Sequence, residues 1–413
     1  MYILKRFMGD EFDKFNTIME SYNHDQNSCI NMAACISYPF QEVMDVQAMP
    51  FSTLPTEGTV GNRFFPICSS LDEIEKYAES LALKLFRLKR DEYRVSIQPN
   101  SGTQANQIVY NAILKDGDYV LSLNPKDGGH ISHTKMGCRN IMVKYFTLNK
   151  DYEVDYDILE DLVHKFRPKL VIVGASSYPK EFNYKKISEI TIPYGTKLMA
   201  DICHSALFIA GQMHSNIFPY VDFATFTMDK TLRGPQGGVI IYKAEYDKLI
   251  SQSIFPKTQG GPVQNALFAK AMCFLKLSST DLHTYASKTI ENANLLIQTL
   301  ILHQIKTVTT HTDNHIILID LSKTTVTGSE MEKKLFKYKI ISNRNQIPND
   351  PRNAFITSGI RLGSTAITNL NYIREDIVIL GAYISQIVNN EKPNSEILCH
   401  LITKYHANIN TSS

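Results

Sequence analysis

From Arg94 onward the chain alternates short apolar runs with segments of helical periodicity, and no other feature narrows the fold as much. Tyr119–Leu123, Ile141–Phe146, Leu170–Val173, Leu198–Ala200 and Phe223–Phe226 are apolar runs of strand length. Helical spacing covers Gln104–Leu114 and Asp157–Phe166 between them. Strands apolar on both faces and separated by helices predict a mostly parallel sheet with helices covering it. A helix over Val263–Leu277 leads into a second unit, where a strand at His315–Leu321 and a long helix near Asp376–Val388 predict a smaller α+β domain. The opening residues, rich in Ser, Asn, Pro and Met, read as a loop-rich arm. Ser70-Leu-Asp-Glu73 reads as a capping box, followed by Ile74, Tyr77, Ala78, Leu81 and Leu85 at helical spacing. The expected divisions are an arm over 1–69, a large domain over 70–277 and a small C-terminal domain over 278–413.

Composition removes several function classes. The 43 basic and 41 acidic residues nearly cancel, so no basic field is available for nucleic acid or an anionic membrane. The seven cysteines (Cys29, Cys35, Cys68, Cys138, Cys203, Cys273, Cys399) are odd in number and lack Cys-x-x-Cys spacing, which argues against a disulfide framework or a zinc site. The N-terminal residues lack the apolar run of a signal peptide, and no apolar stretch of ~18 residues suits a membrane span. A cytoplasmic protein with reduced thiols and no metal is expected.

Chemistry concentrates in five places. In Thr225-Phe-Thr-Met-Asp-Lys-Thr-Leu-Arg-Gly-Pro-Gln-Gly-Gly238, a strand delivers Lys230 into a loop whose glycines admit close backbone approach. A lysine so placed can form an imine with a carbonyl cofactor; alone, the motif equally describes a surface lysine in a turn. Lys197-Leu-Met-Ala-Asp-Ile-Cys-His204 puts Asp201 at the C-terminal end of a strand, where open α/β sheets bind ligands and where Asp also serves as a helix N-cap. Beside a pyridine nitrogen it would keep that nitrogen protonated. Asn100-Ser-Gly-Thr-Gln-Ala-Asn106 presents small residues at a helix start, which suits a phosphate and also an ordinary helix N-terminus. Asp127-Gly-Gly-His-Ile-Ser-His133 admits a ligand beside an imidazole, or is a Gly-rich turn with two solvated histidines. Arg361, in Thr357-Ser-Gly-Ile-Arg-Leu-Gly363, can grip a carboxylate bidentately or serve as a buried ion-pair partner.

Together and in order, these elements resemble serine hydroxymethyltransferase, in the fold-type I group of pyridoxal 5'-phosphate (PLP) enzymes. The resemblance rests also on Glu57-Gly58, Gly174-Ala-Ser-Ser-Tyr-Pro179, Gln259-Gly-Gly-Pro262 and Ile347-Pro-Asn-Asp-Pro351. It implies an α/β fold with a mostly parallel seven-stranded sheet in the large domain. It implies PLP on Lys230 as a Schiff base, Asp201 at the pyridinium nitrogen, His130 stacked on the ring, and Ser101, Gly102 and Thr103 at the phosphate. Ser176 and His204 are then expected near the phenolic oxygen, and Thr227 lining the pocket. Gly261 is expected to reach the phosphate of a neighbouring subunit, making a homodimer or tetramer with active sites at the interface. Arg361 would bind the carboxylate of an amino-acid substrate, and Glu57 would be the acid/base group near the substrate hydroxyl. The implied reaction makes or breaks the Cα–Cβ bond of a β-hydroxy amino acid through an external aldimine and a quinonoid.

The departures lie in the active site. The family's paired tyrosines are Phe64 and Phe65, a tyrosine before the glutamate is Pro55, and the histidine before the lysine is Asp229. Cys35 stands at the family's carboxylate-binding serine and Ile36 at a glutamate. Losing a buried hydroxyl costs ~1–3 kcal/mol when its mate is left unpaired, so several losses imply a changed substrate or reaction. The leucine expected to contact tetrahydrofolate is Pro125, although Gly129 and Ile131 keep the pattern. A folate-independent aldolase or transaldolase is therefore the second expectation. Decarboxylation, elimination and oxidation share the same cofactor chemistry, and a non-catalytic scaffold is the reading from another class.

Overall fold

A computed structural model describes residues 2–51, 55–134 and 140–406. The chain opens with helix α1 (Tyr2–Asn27), not the loop-rich segment expected of the arm. Phe12 is buried, whereas Phe15, Ile18, Met19 and Tyr22 are exposed. This single apolar stripe on a polar helix left little signal in composition. A short helix over Gln41–Gln47 follows, and then α2 (Ser69–Leu85), which corrects the capping box. Ser70 lies inside the helix, the N-cap is Cys68 with no side-chain bond, and Glu73 pairs with Lys76. Pro66 opens a short 3-10 turn directly before α2, so the chain is already helical when it reaches Ser70.

The large sheet has seven strands: β1 (Tyr93–Ser96), β2 (Tyr119–Leu123), β3 (Met142–Phe146), β4 (Leu170–Val173), β5 (Lys197–Asp201), β6 (Phe223–Thr227) and β7 (Gly238–Lys243). Their order is β1-β7-β6-β5-β4-β2-β3. β2 pairs in parallel with β3 and β4, β4 with β5, and β5 with β6; β7 alone runs antiparallel to its two neighbours. β4 and β6 are buried at every residue, because helices cover both faces. Helix α3 (Gly102–Ile113) packs Ala105, Ile108 and Val109 on one face, and α4 (Gln264–Ser278) seals the opposite core with α2.

A second core lies around helix α5 (Leu282–Leu302), strands β8 (Ile316–Asp320), β9 (Asn343–Asn345) and β10 (Gly359–Gly363), and helices α6 (Arg374–Val388) and α7 (Ser395–His406). Its sheet is antiparallel, in the order β8-β10-β9. Residues Ile30–Asn31 add in parallel to Ile340–Ile341, and Gly363 N–H donates to Met32 O at 2.7 Å. The segment before Cys35 is thereby fastened to the smaller unit.

Candidate active site

The parallel strands end on a common edge, and a cavity of about 150 Å3 opens there. It is lined by Ser101, Gly102 and Thr103 at the start of α3, by His130 after β2, and by Ala175 and Ser176 after β4. Asp201, Cys203 and His204 come from the end of β5, and Thr227, Asp229 and Lys230 from the end of β6. The helix start is shaped for close approach. The Ser101 hydroxyl caps α3 by accepting from Gln104 N–H at 3.1 Å, and a Cβ on Gly102 would lie 3.1 Å from the Cys203 sulfur. Behind this turn a Cβ on Gly238 would strike Ser101 O at 2.2 Å. The buried Lys270 ammonium donates to the carbonyls of Ile97, Pro99 and Gly238 at 2.6, 2.7 and 3.2 Å, tying β1, the turn and β7 together.

Asp201 is the most heavily supported side chain. Its Oδ2 accepts from His133 Nε2 at 2.9 Å and Asn106 Nδ2 at 2.8 Å, and its Oδ1 accepts from Cys203 N–H at 3.2 Å. Burial opposes its charge, but the bond and charge of His133, with His130 and Cys203, outweigh burial and hold the carboxyl well below the usual range. Thr225 in turn donates to Asn106 Oδ1 at 2.6 Å. Sequence reasoning missed Asn106, His133 and Thr225 as functional supports. His133 read as solvated, yet it is fully buried. The available signals were positional: Asn106 follows the Ser101 cap within the first turns of α3, and His133 lies three residues after His130. Burial lowers the His130 pKa, and its Nδ1 accepts from Ser132 N–H at 3.2 Å.

Lys230 Nζ lies 3.3 Å from His204 Nε2. Arg361 is 8% exposed, and its Nε donates to Asn343 Oδ1 at 3.0 Å while Nη1 donates to Ser176 O. Among the described residues no carboxylate pairs with it, which leaves a buried guanidinium able to receive an anion. Cys35 lies near Arg361. Asp229, where the family places a histidine, accepts from the Thr227 hydroxyl.

Six expected residues do not line this cavity: Arg361 reaches its wall only through Ser176 O, Cys35 is not part of the lining, and four lie elsewhere. Glu57, Phe64, Phe65 and Gly261 belong to a separate region around the Gly58–Thr59/Asn62–Arg63 hairpin. Phe64 N–H donates to Glu57 O at 3.2 Å, a Cβ on Gly261 would lie 2.8 Å from the Thr56 hydroxyl, and the Phe64 ring packs 5.4 Å from that of Phe255. Phe64 is 69% exposed. It lines a second, larger cavity of about 640 Å3.

The donor set of the smaller cavity fits a phosphorylated pyridine aldehyde. A helix start suits the phosphate, an ionised carboxylate suits a protonated ring nitrogen, and a lysine suits the aldehyde. The chain matches the serine hydroxymethyltransferase family over residues 9–384. It belongs to that family. It is similar to serine hydroxymethyltransferase of Cupriavidus necator, 36% identical over 394 residues covering 94% of each chain. The corresponding protein of Ralstonia pickettii is 34% identical over 401 residues, 96% of each. This serine hydroxymethyltransferase homologue is a PLP-dependent transferase of fold type I, acting on the Cα–Cβ bond of a β-hydroxy amino acid. No helix among the described residues is long and apolar enough to cross a membrane, and these residues contain no cluster able to hold a metal. Cys138 lies outside the described residues; the other six cysteines are free.

Proposed function

We propose that Lys230 carries PLP, and that a second copy of the chain completes the site with Glu57, Phe64, Phe65 and Gly261. The carrying observation is that Lys230, the heavily supported Asp201 carboxylate and the α3 helix start share one cavity, whereas the Glu57 region stands apart from it. Bound there, PLP supplies an electron sink for the bonds at the substrate α-carbon. Asp201 holds the proton at the ring nitrogen, and His130 stacks on the ring. Ser101, Gly102 and Thr103 bind the phosphate, with Thr227 lining the pocket beside them. Ser176 and His204 meet the phenolic oxygen. Arg361, beside Cys35, orients the substrate carboxylate, and Glu57 moves the proton at the substrate hydroxyl. The exposed stripe Phe15, Ile18, Met19 and Tyr22 supports self-association, since a second copy would cover it. Free cysteines, three of them fully or nearly buried, fit a reducing cytoplasm.

Phe64 and Phe65 favour a second reading in which aldol cleavage or transfer proceeds without folate. Neither ring offers a hydroxyl, and Pro125 replaces the expected folate-contacting leucine. The purified protein distinguishes the two when given serine or threonine, with and without tetrahydrofolate, while released aldehyde is followed. Serine turnover that requires folate supports the ordinary family reaction. Aldehyde from threonine without folate supports the second reading, and no turnover of either amino acid contradicts both.

A further inference from the structure

His315 has no place in the chemistry described so far, yet it is fully buried at the start of β8 and connected to Lys230 through one side chain. Its Nε2 lies 2.9 Å from the Ala34 carbonyl and 3.2 Å from His204 Nδ1. His204 Nε2 then lies 3.3 Å from Lys230 Nζ. The two imidazole rings are within 14° of coplanar. His315 Nδ1 is buried with no partner.

These contacts admit one consistent placement of protons. A carbonyl oxygen can only accept, so His315 Nε2 carries hydrogen toward Ala34 O. Both rings are neutral: burial pushes His315 down to about 3 and is the largest cause holding His204 well below its ordinary value. Facing the His315 N–H, His204 Nδ1 must accept, which puts the hydrogen of His204 on Nε2. The opposite tautomer would aim one N–H at another. The contact with Lys230 therefore runs from His204 to the lysine nitrogen and requires a lone pair there.

We propose that His315, anchored on Ala34 O, is a positioning residue that locks His204 as an Nε2–H donor and thereby presents Lys230 as a free amine. This rests on the assignment of Lys230 as the cofactor lysine. In the condensation, the lysine nitrogen bonds to the aldehyde carbon, and the carbonyl oxygen leaves as water with the two amine hydrogens. The lock ties the readiness of Lys230 to the segment carrying Cys35, because Ala34 precedes it and is packed on β10: a Cβ on Gly363 would lie 2.5 Å from Ala34 Cα. The charged and titratable groups around His204 are Lys230, Arg361, His130 and His315, each from a different segment.

The direct test is nitrogen-15 NMR of the histidines in the cofactor-free full chain, with His204 assigned by His204→Gln. A protonated Nε2 and bare Nδ1 is the expected result; a protonated Nδ1 overturns the proposal. Two variants then separate positioning from packing. His315→Leu removes the donor and slows imine formation between PLP and the protein, followed by absorbance, about tenfold. His315→Gln returns an N–H near the Nε2 position and restores the rate to within about threefold. An unchanged rate in His315→Leu, or no recovery in His315→Gln, overturns it. If the wild-type protein forms no imine with PLP, or Lys230→Ala still forms one at this site, the cofactor assignment fails instead, and the NMR result still judges the tautomer.

Discussion

The α3-side cavity and the Glu57 region are built in opposite ways. Around Asp201, the partners His133, Asn106 and Cys203 come from the same chain, and His133 and Asn106 are buried. Around Glu57, the side chains sit on a small hairpin beside an exposed phenylalanine, away from any group they would act on. On the proposed reading, one chain would fix the electronics of the cofactor and grip the substrate carboxylate through Arg361, while the acid/base Glu57 would come from a second chain. Apart from Asp229 in the cavity wall, the departures at Phe64, Phe65 and Pro55 follow this division. Lys230, Asp201, His130 and the Ser101–Thr103 turn are kept, and Phe64, Phe65 and Pro55 change the other region.

The largest expected effect attacks the self-contained half. Asp201→Asn keeps the shape but removes the charge that receives His133, Asn106 and the ring nitrogen, and turnover falls roughly 10²–10³-fold with PLP still bound. A loss below about threefold means the preorganised network is not what activates the cofactor. A smaller effect concerns the one departure inside the cavity. Asp229 puts a carboxylate on the wall it shares with the phosphate turn, so Asp229→Asn is expected to bind PLP about tenfold tighter while leaving pyridoxal unchanged. Equal changes for both ligands would place Asp229 away from the phosphate.

The smallest effect is on stability. His315 is driven down to about 3 by burial, so between its unfolded pKa near 6.5 and that value the unfolded chain binds the extra proton. Its contribution is complete above about pH 6.5 and is lost as pH falls, at up to about 1.4 kcal/mol per unit. Unfolding in urea at pH 7.5, 6 and 5 should therefore show a shallower acid loss in His315→Gln than in the wild type. Parallel slopes would mean that His315 titrates normally.

The strands of the large sheet were legible because burial on both faces writes uninterrupted apolar runs, and β2 and β4 fall where those runs fall. The cavity motifs were legible for a related reason: glycines and small residues mark where backbone meets ligand. What stayed hidden depends on contacts distant in sequence. His133 resembles any solvated histidine until β5 brings Asp201 to it, and His315 acquires its role only from Ala34 and His204. Helix α1 was missed because one narrow apolar stripe does not alter composition. The Ser70 box failed because a local pattern cannot see that the preceding Pro66–Cys68 turn has already started the helix by Ser69.

Mixing two disabled chains tests the division of labour most directly. Lys230→Ala lacks the cofactor lysine and Glu57→Gln lacks the substrate acid; each alone should be inactive. Unfolded together, refolded at equal ratio and assayed, they should recover about a quarter of wild-type activity, because half of the dimers are mixed and each mixed dimer holds one intact site. No recovery, with mixed dimers demonstrated by differential tagging, would place Glu57 and Lys230 in the same chain's site and contradict the account.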